Sequence, residues 1–150
     1  MNIRLAENAD MEQLYALGQG VSEFEVSEET VEFWPKAILA EALGSPDVAV
    51  VVAEDGGKLV GFALANINTT LQKAIVENLF VASTSRGQGL GGELIRHLCA
   101  VVTTAYACNY VISLVPPEAE AALQTYQQAG FTKGHTFVWL DKVYVDDFRR

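Results

Sequence analysis

The chain has 150 residues, half of them hydrophobic, which suits one domain over residues 1–150 with its own core. Its 19 acidic and 10 basic residues give a net charge of −9, the wrong sign for a nucleic-acid partner. That charge fits plain solubility, or attraction of a cationic substrate such as an amine. No apolar run reaches the roughly 18 residues of a membrane span, and the opening residues lack the apolar stretch of a secretory signal. A cytoplasmic protein with no membrane partner is the expectation.

Residues 3–6 read as a strand, and Asp10 as the N-cap of a helix through Leu14 and Leu17 that ends near Gly18 or Gly20. Residues 21–26 are an acidic connector. Ser27, Glu28 and Glu29 predict the start of a second helix, kinked or broken at Pro35 and resuming through Ile38, Leu39 and Leu43. Residues 48–53 and 59–67 read as strands joined by the hairpin signal Asp55-Gly56-Gly57-Lys58. After a polar loop, residues 74–81 form another strand and 82–89 a glycine-containing loop. Leu90, Leu94, Leu98 and Val101 recur at helical spacing, which predicts a long amphipathic helix. Residues 110–115 read as a strand that Pro116-Pro117 ends, followed by a helix over 118–129 closed by Gly130. A last strand is expected over 137–144. The order β-α-α-β-β-β-α-β-α-β predicts an α/β (α+β) fold: a mixed, twisted sheet with helices on both faces.

Cys99 and Cys108 form no CxxC pair and fit no zinc pattern, so both read as small buried hydrophobes. His97 and His135 have no partner at metal-ligand spacing, and no metal is expected. Ser113 has no nucleophile-elbow motif around it. The basic pair Arg149-Arg150 reads as a tail without a role.

The chemistry concentrates after the strand 74–81. A glycine-rich turn feeding a helix leaves backbone N–H groups unpaired and aimed at one point, where the helix dipole adds positive character. Gly87, Gly89 and Gly91 permit positive φ and a close approach. Arg86 adds charge nearby. The pattern is not the dinucleotide fingerprint, which follows a first strand, and no Gly-Lys-Ser/Thr makes it a P-loop.

Arg86-Gly87-Gln88-Gly89-Leu90-Gly91 matches R/Q-x-x-G-x-G/A after the hydrophobic strand Glu77-Asn78-Leu79-Phe80-Val81. Ala122, Tyr126, Gly130 and Phe131 match A-x-x-x-Y-x-x-x-G-F downstream. Together with the opening Ile3-Arg4-Leu5-Ala6 and Asp10, these segments resemble the GCN5-related N-acetyltransferase (GNAT) superfamily across essentially the whole chain. The resemblance implies a mostly antiparallel sheet and an acetyl-CoA-dependent N-acetyltransferase. The backbone of Leu79 and Val81 would bind the pantetheine arm, and the N–H groups from Gly87 to Gly92 the pyrophosphate, with Gln88 acting through its backbone. Tyr126 would protonate the departing thiolate; the other reading is a core aromatic. One departure is Ala119, where the family often has an asparagine that bonds the cofactor arm.

Glu77 is the candidate general base, since a protonated amine cannot attack. Alternation places it with Ile75, Leu79 and Val81, apolar neighbours that would raise a carboxylate pKa. A solvent-facing or cation-binding glutamate is the other reading, and the base could lie elsewhere or be water. Phe24, Phe33 and Trp34 read as core aromatics or an acceptor wall. Glu23, Glu25, Glu28 and Glu29 read as a solvated face or an amine attractor. The acceptor is a small-molecule or peptide amine, attacking the thioester directly while strand N–H groups polarise its carbonyl. A non-catalytic acyl-CoA-binding or partner-binding module is the alternative. The resemblance also implies frequent homodimers, with the last strand as an available edge.

Overall fold

In the computed structural model, which describes residues 1–150, five strands lie in one sheet in chain order. They are β1 (Asn2–Leu5), β2 (Val48–Asp55), β3 (Lys58–Asn68), β4 (Lys73–Val81) and β5 (Tyr110–Ser113). The first three neighbouring pairs are antiparallel, and β4 with β5 is parallel. A tight turn can only reverse the chain, whereas α3 (Leu90–Thr104) carries it back across the sheet to start β5 in the same direction as β4.

Helices cover both faces. On one face α3 packs Leu94, Ile95, Leu98 and Val102 over Val51, Ala63, Ala65 and Val76, and α4 (Glu120–Gln128) adds Tyr126. On the other face α1 (Met11–Gly18) and α2 (Lys36–Leu43) bring Leu14 and Leu39, with Phe33, onto Val50, Val52, Phe62 and Leu64. Strand β2 is apolar at successive positions because both of its faces are covered. Leu98 has no exposed surface; truncating such a leucine to alanine typically costs about 2–5 kcal/mol.

Two expected elements do not form. No helix starts at Ser27; its hydroxyl instead accepts the Glu29 N–H at 3.1 Å, a local bond that competes with a helix. Thr30 bridges to Arg149, and Val31 N–H donates to the Phe148 carbonyl at 3.0 Å. The helix begins only after Pro35, whose carbonyl accepts the Leu39 N–H. The second absence is the strand over 137–144. That segment forms no helix or turn and lacks any strand partner, and no backbone N–H from 132 to 147 donates to a backbone acceptor within the chain. A strand needs a neighbour, and strand-forming residue types cannot supply one. The Arg149-Arg150 tail does have a role: Arg150 pairs with Glu25 and Glu32, and its N–H donates to the Glu29 carbonyl.

Candidate active site

The turn after β4 presents a run of unpaired backbone donors at the start of α3. Gly87 and Gly89 have φ of 76° and 79°, and a Cβ at either would meet nothing within 4 Å. Glycine is required there by backbone conformation. Gly89 is the N-cap of α3, and the first helical bond runs from Glu93 N–H to the Gly89 carbonyl at 3.1 Å. Every backbone N–H from Gly87 to Gly92 lacks an acceptor within the chain. Those donors, with the N-terminal end of a 15-residue helix behind them, form a strong anion cradle.

Gly91 has a different role from the one expected. Its φ is ordinary, and a Cβ there would meet Thr125 Cγ2 at 3.3 Å, then Val81 and Leu79 side chains. It lets α3 approach α4 and the end of β4. Arg86 folds back: its Nε donates to the Val81 carbonyl at 2.8 Å, its guanidinium lies 5.8 Å from the Phe80 ring centre, and Glu23 is 3.6 Å away. Gln88 is exposed on the turn.

Strand β4 is open where it approaches that cradle. It pairs with β5 only from Lys73↔Tyr110 to Val76↔Ser113, so Leu79 and Val81 have no neighbour on the β5 side. The Ser113 hydroxyl donates to the Val76 carbonyl at 3.2 Å at this parting. Tyr126 of α4 is buried beside it, with its phenol against Ser113 and its ring edge-on to Phe131, centroids 5.1 Å apart. Burial pushes the phenol up to about 12, against a smaller lowering by the Ser113 hydrogen bond.

A bulge overturns the expected neighbours of Glu77. Leu64 pairs with Asn78 and Ala65 with Val76, leaving Glu77 as the extra residue of β4. Side-chain parity therefore resets. Leu79 and Val81 pack on the α3 cluster, whereas Phe80 packs on the α1–α2 cluster. Glu77 turns to the α1–α2 face, where the Asn66 amide donates to its carboxylate at 2.7 Å. Asn78, buried, accepts from the Trp34 indole N–H at 2.8 Å. Glu77 and Tyr126 thus flank the parting of β4 and β5 from opposite faces of the sheet. Asn66, Asn78 and Ser113 join the site through these contacts; an asparagine inside an apolar strand was the available signal for Asn78.

A cavity of about 450 Å³ adjoins Tyr126 and Ser113. Leu123, Phe131, Phe137 and Trp139 supply apolar wall, and Glu25 a carboxylate. His135 also lines it, whereas His97 is exposed on α3. Glu77 and the turn 87–92 lie outside that lining. Phe24 and Phe33 stack at 5.7 Å and meet Phe62 at 6.1 and 5.6 Å, so they are core aromatics. Cys108 is fully buried and Cys99 half-buried, and burial pushes both thiols up. No helix is long and apolar enough to cross a membrane.

The same architecture occurs in solved structures. One from Agrobacterium tumefaciens str. C58 superposes with a TM-score of 0.75 at 26% identity, covering 95% of this chain and 100% of that one. The aminoglycoside N-acetyltransferase AAC(6')-Iy in complex with CoA gives 0.77 at 21%, over 95% and 100%. The ribosomal-protein-S18-alanine N-acetyltransferase from Escherichia coli gives 0.70 at 21%, over 89% and 79%. The model of the Acetyltransferase (GNAT) family matches residues 9–131, so the chain belongs to that family and carries its N-acetyltransferase fold.

Proposed function

We propose that the chain transfers an acetyl group from acetyl-CoA directly to a primary amine, as one domain over residues 1–150. The carrying observation is the unbroken run of unpaired N–H groups from Gly87 to Gly92 beside the open edge of β4. These groups fit the co-substrate: the cradle suits a pyrophosphate, and the free edge at Leu79 and Val81 suits the amide-bearing pantetheine arm. A relative of the same fold is described in complex with CoA.

Acetyl-CoA supplies an activated acyl group with a thiol leaving group. Tyr126 stands at the parting of the strands and donates a hydrogen bond to the departing sulfur. Its phenol, held near 12, is a weaker acid than a thiol of about 8.5. It therefore stabilises the thiolate by hydrogen bonding and keeps its proton. Glu77 takes a proton from the incoming ammonium, directly or through water, with Asn66 holding the carboxylate in place, and the second proton, shed by the nitrogen after attack, goes to the departing thiolate or to solvent water. The acceptor enters the parting of β4 and β5 from the Glu77 side, opposite Tyr126. The raised thiols of Cys99 and Cys108 support transfer without an acetyl-enzyme.

The names of the structural relatives span an aminoglycoside and a ribosomal-protein alanine, which supports a small-molecule or peptide amine as the acceptor. The net charge of −9 suits a cation and disfavours a nucleic acid. The test is release of free thiol from acetyl-CoA over a panel of diverse amines. Amine-dependent release with intersecting double-reciprocal lines is expected. Parallel lines with an isolable acetyl-enzyme would sink direct transfer, and tight CoA binding without release would make the chain a binding module.

A further inference from the structure

Among the glycines of the cradle, Gly92 is the one whose missing side chain is matched by a single neighbour. Its backbone is ordinary helix, so conformation does not require glycine there. A Cβ added at Gly92 would meet the Arg96 guanidinium first, with Nη1 at 3.2 Å, Nη2 at 3.6 Å and Cζ at 3.7 Å. Arg96 follows one turn later on α3, and helical side chains lean back toward the N-terminus. Its guanidinium therefore lies along the first turn of α3, beside the unpaired N–H groups from Gly87 to Gly92. Glycine inside a helix costs propensity; here it leaves a berth for a cation.

That cation is uncommitted. Arg4, Arg86, Arg149 and Arg150 each pair with a carboxylate. Arg96 pairs with none, although Glu93 is exposed one turn earlier on the same helix and the chain carries a net charge of −9. Arg86, the cation that the sequence places at the turn, is bound instead to the Val81 carbonyl and faces Glu23. Arg96 is thus the free positive side chain beside the cradle.

Acetyl-CoA carries three phosphate groups. Two form the pyrophosphate, which suits the backbone donors of the cradle. The third is a monoester on the ribose, with a charge of about −1.5 to −2 near neutral pH. A guanidinium matches such a group with two parallel N–H donors and a fixed charge.

We propose that Arg96 binds the ribose 3′-phosphate of the donor and makes the chain selective for coenzyme A over its dephospho form. Gly92 is the positioning residue, because its missing side chain lets the guanidinium lie against the start of α3. This selectivity rests on the acetyl-CoA reading of the cradle.

Calorimetric titration of the full chain with CoA and with 3′-dephospho-CoA is the test. The parent should bind CoA about tenfold more tightly than the dephospho form, the usual size of a charge-assisted contact, and the preference should shrink as salt rises. Arg96 is exposed, so substitutions there leave the core intact. Arg96→Gln should bind both forms as weakly as the parent binds the dephospho form. Arg96→Lys should recover part of the preference, since it restores the charge without the fork. Equal affinity of the parent for the two forms would overturn the proposal and leave the acetyl-CoA reading standing. An equal loss for both forms in Arg96→Gln would also overturn it, by placing the guanidinium on the pyrophosphate. Binding of neither form would remove the acetyl-CoA reading itself, and the selectivity with it.

Discussion

Asn66 donates its side-chain amide to the Glu77 carboxylate at 2.7 Å, across the bulge that makes Glu77 the unpaired residue of β4. The bulge aims the carboxylate and the amide holds it, leaving its remaining acceptor sites for an incoming ammonium. Glu77→Gln keeps the length of the side chain and a carbonyl for Asn66, and removes the carboxylate that the proposed mechanism uses as base. The expected loss in kcat is about a hundredfold to ten-thousandfold, with CoA affinity unchanged. A raised KM for the amine at full kcat would instead make Glu77 a cation-binding residue.

Tyr126→Phe keeps the ring that meets Phe131 edge-on and deletes the donor. A loss in kcat of about a hundredfold to a thousandfold is expected, the usual effect of removing one donor from a developing charge. The pH profile carries a second check. In the proposed mechanism the phenol acts in its protonated form, which persists below its pKa and is lost as pH rises through about 12. An alkaline limb from this residue should therefore be absent up to roughly one unit below that value. A limb near pH 10 that disappears in Tyr126→Phe would show that burial does not hold the proton.

The parts of this site legible in sequence are the local ones. The turn at 86–91 and the helix it opens depend on near neighbours, which the glycine spacing reports directly, and Tyr126 lies in the next motif along the chain. The face of Glu77 was illegible because parity along β4 is interrupted by its pairing with β3: one extra residue reverses every expectation downstream. The helix expected from Ser27 fails for a similar reason. Its capping and acidic signals are real, but Thr30 is engaged by Arg149 at the far end of the chain. The last strand shows the limit from the other side. The run 137–144 is rich in aromatic and β-branched residues, yet no strand forms without a partner. Arg150, a tail residue by pattern, closes that segment onto Glu25 and Glu32.

The glycines of the turn separate into two tests. At Gly89, φ of 79° disfavours any side chain although space is open. Gly89→Ala should cost about 1–2 kcal/mol for the left-handed backbone, and should weaken CoA binding by redirecting the donors that begin α3. At Gly91 the backbone is helical, and the obstacle is Thr125 Cγ2 at 3.3 Å. Gly91→Ala gains helix propensity, but α4 must give way, carrying Tyr126 with it. Calorimetric CoA titration should therefore register Gly89→Ala more strongly, and turnover should fall in Gly91→Ala even at saturating CoA. Equal loss of CoA affinity in both would contradict the division.

Acid stability tests a contact outside the site. Asp10 accepts from Arg4 at 2.7 and 2.9 Å and from the Glu7 N–H at 2.8 Å. The Arg4 guanidinium is the main reason its carboxyl is held below the ordinary value of 3.8. A carboxyl depressed in the fold contributes stability that is fully present above its unfolded pKa of about 3.9. That contribution fades as pH falls through the lower folded value, because protonation then removes the ion pair. Asp10→Asn keeps an acceptor for Glu7 and loses the charge. Urea unfolding should thus find the variant less stable at pH 7, with the gap to the parent closing below pH 3 to 4 as the parent's own carboxyl protonates. Arg4 retains Glu54 at 2.7 Å in the variant, so the loss measured is that of Asp10 alone. A gap that stays constant down to pH 2 would mean that Asp10 contributes by shape and hydrogen bonding, and that its charge adds nothing.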